Sequence, residues 1–254
     1  MITKRYHFEV IDSTNKKAKE LALAGCLHGT LVTADSQEAG IGRRGREWSS
    51  EKDAGIYMSL VLRPEIETHH VHRITLVAAM AVEAAMQTVF TNLGLDEQPM
   101  IKWPNDIVLN KKKICGILTE LTLQGREVDF VVVGIGINVN NTSFPEEIAQ
   151  TASSLFLETK HPIDKEMLIT ETWKAFEVYY EQFMQTKDIS LFKDEYENAL
   201  INKEKPVKVL DPQCEYAGIA KGVTETGELI VDTEGQLQYV SSGEVSVRGI
   251  YGYV

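Results

Sequence analysis

The sequence predicts an α/β fold followed by a small all-β module. Two patterns carry that prediction. Apolar strands and long apolar-periodic helices interleave through residues 1–202. Short β runs then crowd into the last fifty or so residues, as in a small barrel or sandwich. With 254 residues and 43% apolar content, the chain can bury a full core and one small extra domain. The boundary falls near Asn202, which separates a unit 1–202 from a unit 203–254.

Each element has a local reason. Tyr6 to Ile11 alternates as a strand does. Asp12-Ser13-Thr14 offers caps for a helix through Leu23, closed by Gly25. Thr30 to Asp35 and Gly55 to Leu62 (GIYMSLVL) read as strands. Val71 to Phe90 has the spacing of a long helix buried around most of its girth. Ile101 to Leu109, Lys113 to Leu123 and Val128 to Val139 read as three strands, with turns at Asn110-Lys111-Lys112 and Gln124-Gly125-Arg126. Lys165 to Met184 and Ser190 to Leu200 are helical. After Lys203-Glu204-Lys205-Pro206 come β runs at Val207 to Leu210, Tyr216 to Val223, Glu228 to Val231, Leu237 to Val240 and Val245 to Arg248.

Composition excludes several function classes. A formal net charge of −11 argues against a nucleic-acid partner. The apolar run Ile74 to Val82 stops at Glu83 and is too short to span a bilayer. The opening MITKRYHFEVID has no signal-peptide core. Cys26, Cys115 and Cys214 are odd in number and far apart, which suits a reducing cytoplasm. His69, His70 and His72 lack a completing ligand constellation and read as a solvated loop before a helix. Cys115 reads as a core thiol.

Against the acidic background, Gly40 to Trp48 (GIGRRGREW) packs three glycines and three arginines into nine residues. Glycine lets a backbone approach a ligand closely, and arginine forks onto carboxylate or phosphate. The segment therefore reads as an anion site. Gly40, Gly42 and Gly45 also spell G-x-G-x-x-G, but no helical period follows them, so the dinucleotide reading is set aside. Three mutually repelling arginines predict a loop with little to order it until an anion binds. A second cation, Lys102, opens the motif Lys102-Trp103-Pro104-Asn105-Asp106 at a strand end. Pro104 restricts Trp103 to extended geometry there, and Trp103, Asn105 and Asp106 would orient the neighbouring lysine; the alternative is a strand kink with a surface lysine.

Together these pieces resemble the biotin–protein ligase family. The matching segments run in order: Asp12 to Asn15, Ala34 to Trp48, Ala54 to Ser59, Lys102 to Asp106, Lys113 to Glu120 (KICGILTE), Gly134 to Asn140 (GIGINVN), Ala152 to Leu155 and Gly243 to Arg248 (GEVSVR). The resemblance implies a mixed sheet with flanking helices, of the class II aminoacyl-tRNA-synthetase-like catalytic kind, plus an SH3-like C-terminal barrel. It implies ATP-dependent formation of biotinyl-5′-AMP. Transfer then follows to a lysine of the biotin carboxyl carrier domain of a biotin-dependent carboxylase. Arg43 and Lys102 would hold the biotin carboxylate and the α-phosphate. Arg46 would reach the phosphates, Trp48 would cover the site, and Asn138 would lie near the adenine. Ser13, Thr14 and Gln37 would bond the ureido head, with Asn15, Gly40, Ile41 and Gly116 completing the biotin slot. Mg²⁺ is expected on the phosphates. Lys113 keeps two readings, a biotin-side contact and a solvated hairpin lysine.

The family usually reads G-R-G-R where this chain has Gly40-Ile41-Gly42-Arg43. If a backbone carbonyl does the work at the second position, Ile41 substitutes; otherwise Ile41 staples the loop by apolar packing. The family signature starts at Asp12, so the expectation is a short ligase without a DNA-binding domain, cytoplasmic, with a homodimer left open. The alternatives are a lipoate or octanoyl transferase and a non-catalytic biotin sensor.

Overall fold

A computed structural model describes residues 2–211, 214–243, 245–249 and 253–254. Glu244, inside the GEVSVR segment, lies outside the described residues. The order is β1 (Lys4–Ile11), α1 (Thr14–Leu23), β2 (Thr30–Gln37), β3 (Gly55–Leu62), α2 (Arg73–Leu93), β4 (Met100–Lys102), β5 (Asp106–Leu109), β6 (Lys112–Gln124), β7 (Glu127–Asn138), α3 (Leu155–Thr159), α4 (Lys165–Thr186) and α5 (Lys193–Ala199). Then follow β8 (Lys205–Leu210), β9 (Tyr216–Val223), β10 (Leu229–Thr233), β11 (Gln236–Val240) and β12 (Ser246–Gly249).

The first seven strands form one mixed sheet in the order β1-β2-β3-β7-β6-β5-β4, in which only β1 and β2 pair in parallel. The remaining five form an antiparallel sheet, β11-β10-β9-β8-β12. Strand alternation sorts the apolar residues between the two faces of the large sheet. Val32, Val61, Phe130 and Val132 meet Ala18 and Ala22 of α1 on one face. Leu31, Leu60, Val131 and Val133 join α2 and α4 in the main core.

Helix α2 is apolar nearly all round because sheet and α4 cover it. By length and composition it is long enough to cross a membrane, contrary to the short run read from sequence, but most of it is buried inside the protein. Gly94 stops it in the left-handed region at φ 69°, with Leu95 N bonded back to Phe90 O. Phe90 is wholly buried, so Phe90→Ala would cost about 3–5 kcal/mol.

Three stretches differ from the sequence reading. Ile101 to Leu109 is not one strand: β4 and β5 are antiparallel, with Lys102 opposite Asp106 and Trp103-Pro104-Asn105 as the turn. Apolar residues flank the motif on both sides and disguised the reversal, while Pro104 offers no N–H to a ladder. Helix α3 was missed because it is short. Its cap is Ser154, whose hydroxyl accepts from Leu157 N at 3.1 Å. The Ser190–Leu200 segment also divides, into a 3₁₀ turn at Ser190–Phe192 and α5.

Candidate active site

Two cavities meet beneath the glycine–arginine loop. The smaller, about 440 Å³, lies between the start of α1 and the glycine-bearing stretches of β6 and β7. The larger, about 1070 Å³, lies between the KWPND turn and the start of β12. Arg43, Trp48, Asn105 and Lys113 line both.

The smaller cavity gathers Ser13, Thr14, Asn15, Gln37, Ile41 and Gly116. Its polar end is a network. Gln37 Oε1 accepts from Thr14 N at 2.8 Å and lies 3.1 Å from Thr14 Oγ1. Gln37 Nε2 donates to Ser50 Oγ at 2.9 Å. Asn15 is held by Ser59 and by Glu120, at 2.6 and 2.7 Å, and its amide rests where Gly134 leaves no side chain. Ser13 occupies the cap position of α1, yet its hydroxyl makes no cap bond, so it faces the slot without the structural duty read from sequence. Gly40 lines neither cavity. An added Cβ there would sit 2.5 Å from Trp48 O and 3.0 Å from Gln37 Nε2, so glycine permits the loop's close return.

Trp48 stands between the cavities. Its indole lies on the backbones of Gly116 and Gly136, where an added Cβ would come within 2.7 and 2.6 Å of the ring. The indole Nε1 is buried with no partner among the described residues, a donor that a ligand could satisfy. Lys113 Nζ sits 5.3 Å from the ring centroid and pairs with Asp106 Oδ1 at 2.7 Å. The solvated-hairpin reading of Lys113 therefore fails: the lysine belongs to the site.

Lys102 and Arg43 supply the buried positive charge. Lys102 is 5% exposed, and its ammonium has no hydrogen-bond acceptor among the described residues; it rests 4.2 Å above the Tyr253 ring. Burial pulls its pKa down to about 8, with Lys113, Arg248 and Arg43 adding to the shift and Asp106 opposing it. For Asp106, burial is outweighed by Lys113 and Lys102 and by hydrogen bonds from Lys113 and Tyr253, so its carboxyl stays below the usual range. Arg43 donates to Asn105 Oδ1 at 2.7 Å and to the carbonyls of Ser242 and Gly243 at 2.9 and 2.8 Å. Burial lowers the Arg43 pKa, yet a guanidinium keeps its proton in a protein. Arg46 and Asn138 line the larger cavity; Arg46 is exposed, and Asn138 donates to Ser153 O at 3.0 Å.

The loop is better tied than its sequence suggests. Trp48 N bonds Gly40 O at 2.8 Å, and Gly42 N bonds Arg46 O at 2.7 Å. Backbone carbonyls of the β11–β12 connection take up the Arg43 charge that was expected to repel its neighbours. The loop holds only a 3₁₀ turn, Arg43–Gly45, so no helix opens on its glycines. Ile41 pairs its backbone with Glu47, while its side chain is 56% exposed. It lines the small cavity but, with most of its surface open to solvent, staples nothing in this structure.

Comparison with known proteins agrees with this arrangement. Residues 7–138 match the biotin/lipoate A/B protein ligase family, and residues 204–248 match the biotin protein ligase C-terminal domain. The chain belongs to the biotin protein ligase family. The C-terminal match separates it from a lipoate or octanoyl transferase reading. The chain is 37% identical over 241 residues to the bifunctional ligase/repressor BirA of Bacillus spizizenii, covering 94% of this chain and 72% of that one. It is 32% identical over 242 residues to the biotin–[acetyl-CoA-carboxylase] ligase of Paracoccus denitrificans, covering 94% and 98%. The Aquifex aeolicus biotin protein ligase solved in complex with biotin and ATP superposes with a TM-score of 0.85 at 30% identity, over 98% of this chain and all of that one.

Sequence reasoning missed or misassigned several contributors. The motif's aspartate, Asp106, expected to orient Lys102, is instead engaged by Lys113 and Tyr253. The carbonyls of Ser242 and Gly243 have no residue-type signature. Phe144 and Ile148 wall the larger cavity from a stretch with no apolar period. Tyr253 lies outside every matched segment; an aromatic near the end of the sequence was its one available signal.

Proposed function

We propose that this chain activates biotin with ATP and transfers it to a lysine of a biotin carboxyl carrier domain. The observation that carries the reading is a buried ammonium with no acceptor among the described residues, Lys102, in the wall of the larger of two cavities that share Arg43. One cavity is lined by the hydrogen-bonding groups of α1 and β2, and the other is large enough for a nucleotide. The Aquifex aeolicus relative was solved with biotin and ATP, and the Paracoccus denitrificans relative is named for acetyl-CoA carboxylase.

Biotin lies with its ureido head at Ser13, Thr14 and Gln37 and its carboxylate toward Lys102 and Arg43. One carboxylate oxygen attacks the α-phosphorus. The bond from phosphorus to the bridging oxygen breaks, and pyrophosphate leaves. Such a transfer asks for positioning and charge stabilisation more than covalent help. Lys102 and Arg43 supply the charge from sites already desolvated, where it acts most strongly. The acceptor amine then attacks the biotinyl carbonyl, AMP leaves, and the amine loses a proton. Trp48 and the loop shield the anhydride from water between the steps.

ATP enters as its Mg²⁺ complex. Of the carboxylates lining the larger cavity, Asp106 is already engaged by Lys113 and Tyr253, and Glu47 is exposed. Among the described residues none form a resident metal site, so the ion would arrive with the nucleotide. The acidic charge balance supports a protein with no nucleic-acid partner, and three free cysteines support a reducing compartment.

Biotin-dependent exchange of labelled pyrophosphate into ATP tests the first half-reaction. A blot for biotin on an added carrier domain tests the second. Exchange without transfer would leave an activating sensor, and no exchange would end the reading.

A further inference from the structure

We propose that Tyr253 is a positioning residue that keeps Lys102 available to the reacting anion by occupying Asp106. Lys102 and Asp106 face each other across the β4–β5 pair, and an ion pair between them would be the expected outcome. The structure shows none. Asp106 Oδ1 accepts from Lys113 at 2.7 Å and from Asn105 Nδ2 at 3.2 Å. Asp106 Oδ2 accepts from the Tyr253 hydroxyl. Both oxygens are therefore taken, and Lys102 has no carboxylate to collapse onto.

The same tyrosine gives the displaced ammonium a place. Its ring face lies 4.2 Å from Lys102 Nζ. A cation over an aromatic face is attracted without a directional bond, so an incoming phosphate or carboxylate oxygen displaces nothing hydrogen-bonded. One side chain thus acts twice: the hydroxyl blocks the competing anion, and the ring holds the cation. The charged groups acting on Lys102 are Asp106 from β5, Lys113 from β6, Arg248 from β12 and Arg43 from the loop. Asp106 is the one anion among them, so what Asp106 binds decides what Lys102 does.

The proposal rests on the biotin-activation reading, and its test keeps the two apart. Biotin-dependent ATP–pyrophosphate exchange is followed from pH 6 to pH 10 in the wild type, Tyr253→Phe and Tyr253→Leu. Wild-type kcat/KM falls as pH rises through about 8, where Lys102 loses its proton. Tyr253→Phe keeps the ring and frees Asp106 Oδ2. Lys102 then pairs with Asp106, exchange at pH 7 drops about tenfold, and the alkaline limb moves up by about one unit. Tyr253→Leu moves the limb the same way with a larger loss of rate. A thermal melt identifies any variant that fails to fold, and Tyr253→Phe, the milder change, decides the matter. A lowered rate with the limb unmoved would make Tyr253 a mere packing contact and overturn the proposal. So would a Tyr253→Phe enzyme with wild-type rate. Absence of exchange in the wild type would instead overturn the activation reading itself.

Discussion

The Arg43 guanidinium donates to the Gly243 carbonyl at 2.8 Å, which joins residues 200 positions apart in sequence. The loops of the C-terminal module therefore do more than link its strands. They fix the loop arginine, and through Trp103 Nε1, bonded to Gly227 O at 3.0 Å, they also fix the KWPND turn. Both cationic elements of the site lean on the same module.

Arg43→Gly is expected to release the adenylate. The substitution removes the charge fork and every bond from the loop side chain to Asn105, Ser242 and Gly243. Charged hydrogen bonds are worth about 1.5–3 kcal/mol each, so loss of retention by tenfold to a hundredfold is the natural scale. Bystander lysines should then be labelled diffusely, which mass spectrometry of a mixed-protein reaction would read. Labelling confined to the carrier domain would show that Arg43 does not retain the intermediate.

Lys102→Met should trade activity for stability. Loss of one preorganised charge at the α-phosphate costs on the order of 3 kcal/mol in the transition state, so exchange should fall about a hundredfold. The fold should gain. The lysine pKa is about 8 when folded and 10.5 when unfolded. Below pH 8 both states hold the proton, and the folded state bears the full burial penalty, up to about 3 kcal/mol. Between pH 8 and 10.5 the unfolded state holds more protons, so wild-type stability rises with pH. The advantage of Lys102→Met should therefore be greatest at neutral pH and fade above pH 8. Urea melts at pH 7 and pH 10 read it. A variant less stable at pH 7 would show that Lys102 is not strained by burial.

Much of this site was legible in the sequence because its chemistry sits in contiguous motifs. The loop arginines, the KWPND lysine and the Asp12-Ser13-Thr14 turn each carry a residue-type signal. The failures are of another kind. The acceptors for Arg43 are backbone carbonyls, which every residue has. Tyr253 meets Lys102 only after the C-terminal sheet has docked. Asp106 was expected to orient its neighbour Lys102, and its real partners, Lys113 and Tyr253, come from elsewhere in the sequence. The broken strand at Trp103-Pro104-Asn105 failed for a local reason: its flanks, Met100 to Lys102 and Asp106 to Leu109, share one apolar texture across the turn.

Gly136→Ala should act on Trp48. Its new Cβ would come within 2.6 Å of the indole, and two-ring side chains cannot yield a few tenths of an ångström without moving bodily. The indole should leave the floor between the cavities. The KM for biotin and for ATP should rise together, by about tenfold, since Trp48 lines both spaces. Tryptophan emission provides a second readout, because Trp48 is the half-buried member of three while Trp103 and Trp173 lie in the core. Unchanged emission with unchanged KM values would mean that the indole does not occupy this position in solution.

Ile41 should prove nearly silent. A staple would need its side chain buried, and it is 56% exposed; the loop there is held by backbone pairing to Glu47 and by the Gly42–Arg46 bond. Truncation to alanine leaves those bonds in place. The apolar area at stake is less than half of a full side chain, about 1 kcal/mol at most. Adenylate release from Ile41→Ala, followed by stopped flow, should therefore quicken by less than about fivefold. Ile41→Arg should fold and turn over, because the side chain points where a longer one has room. Its one new property is charge, so adenylate retention should become more salt-dependent than in the wild type. Release from Ile41→Ala quickened more than about tenfold would mean that the side chain becomes buried when ligand binds, and that apolar packing replaces the usual arginine after all.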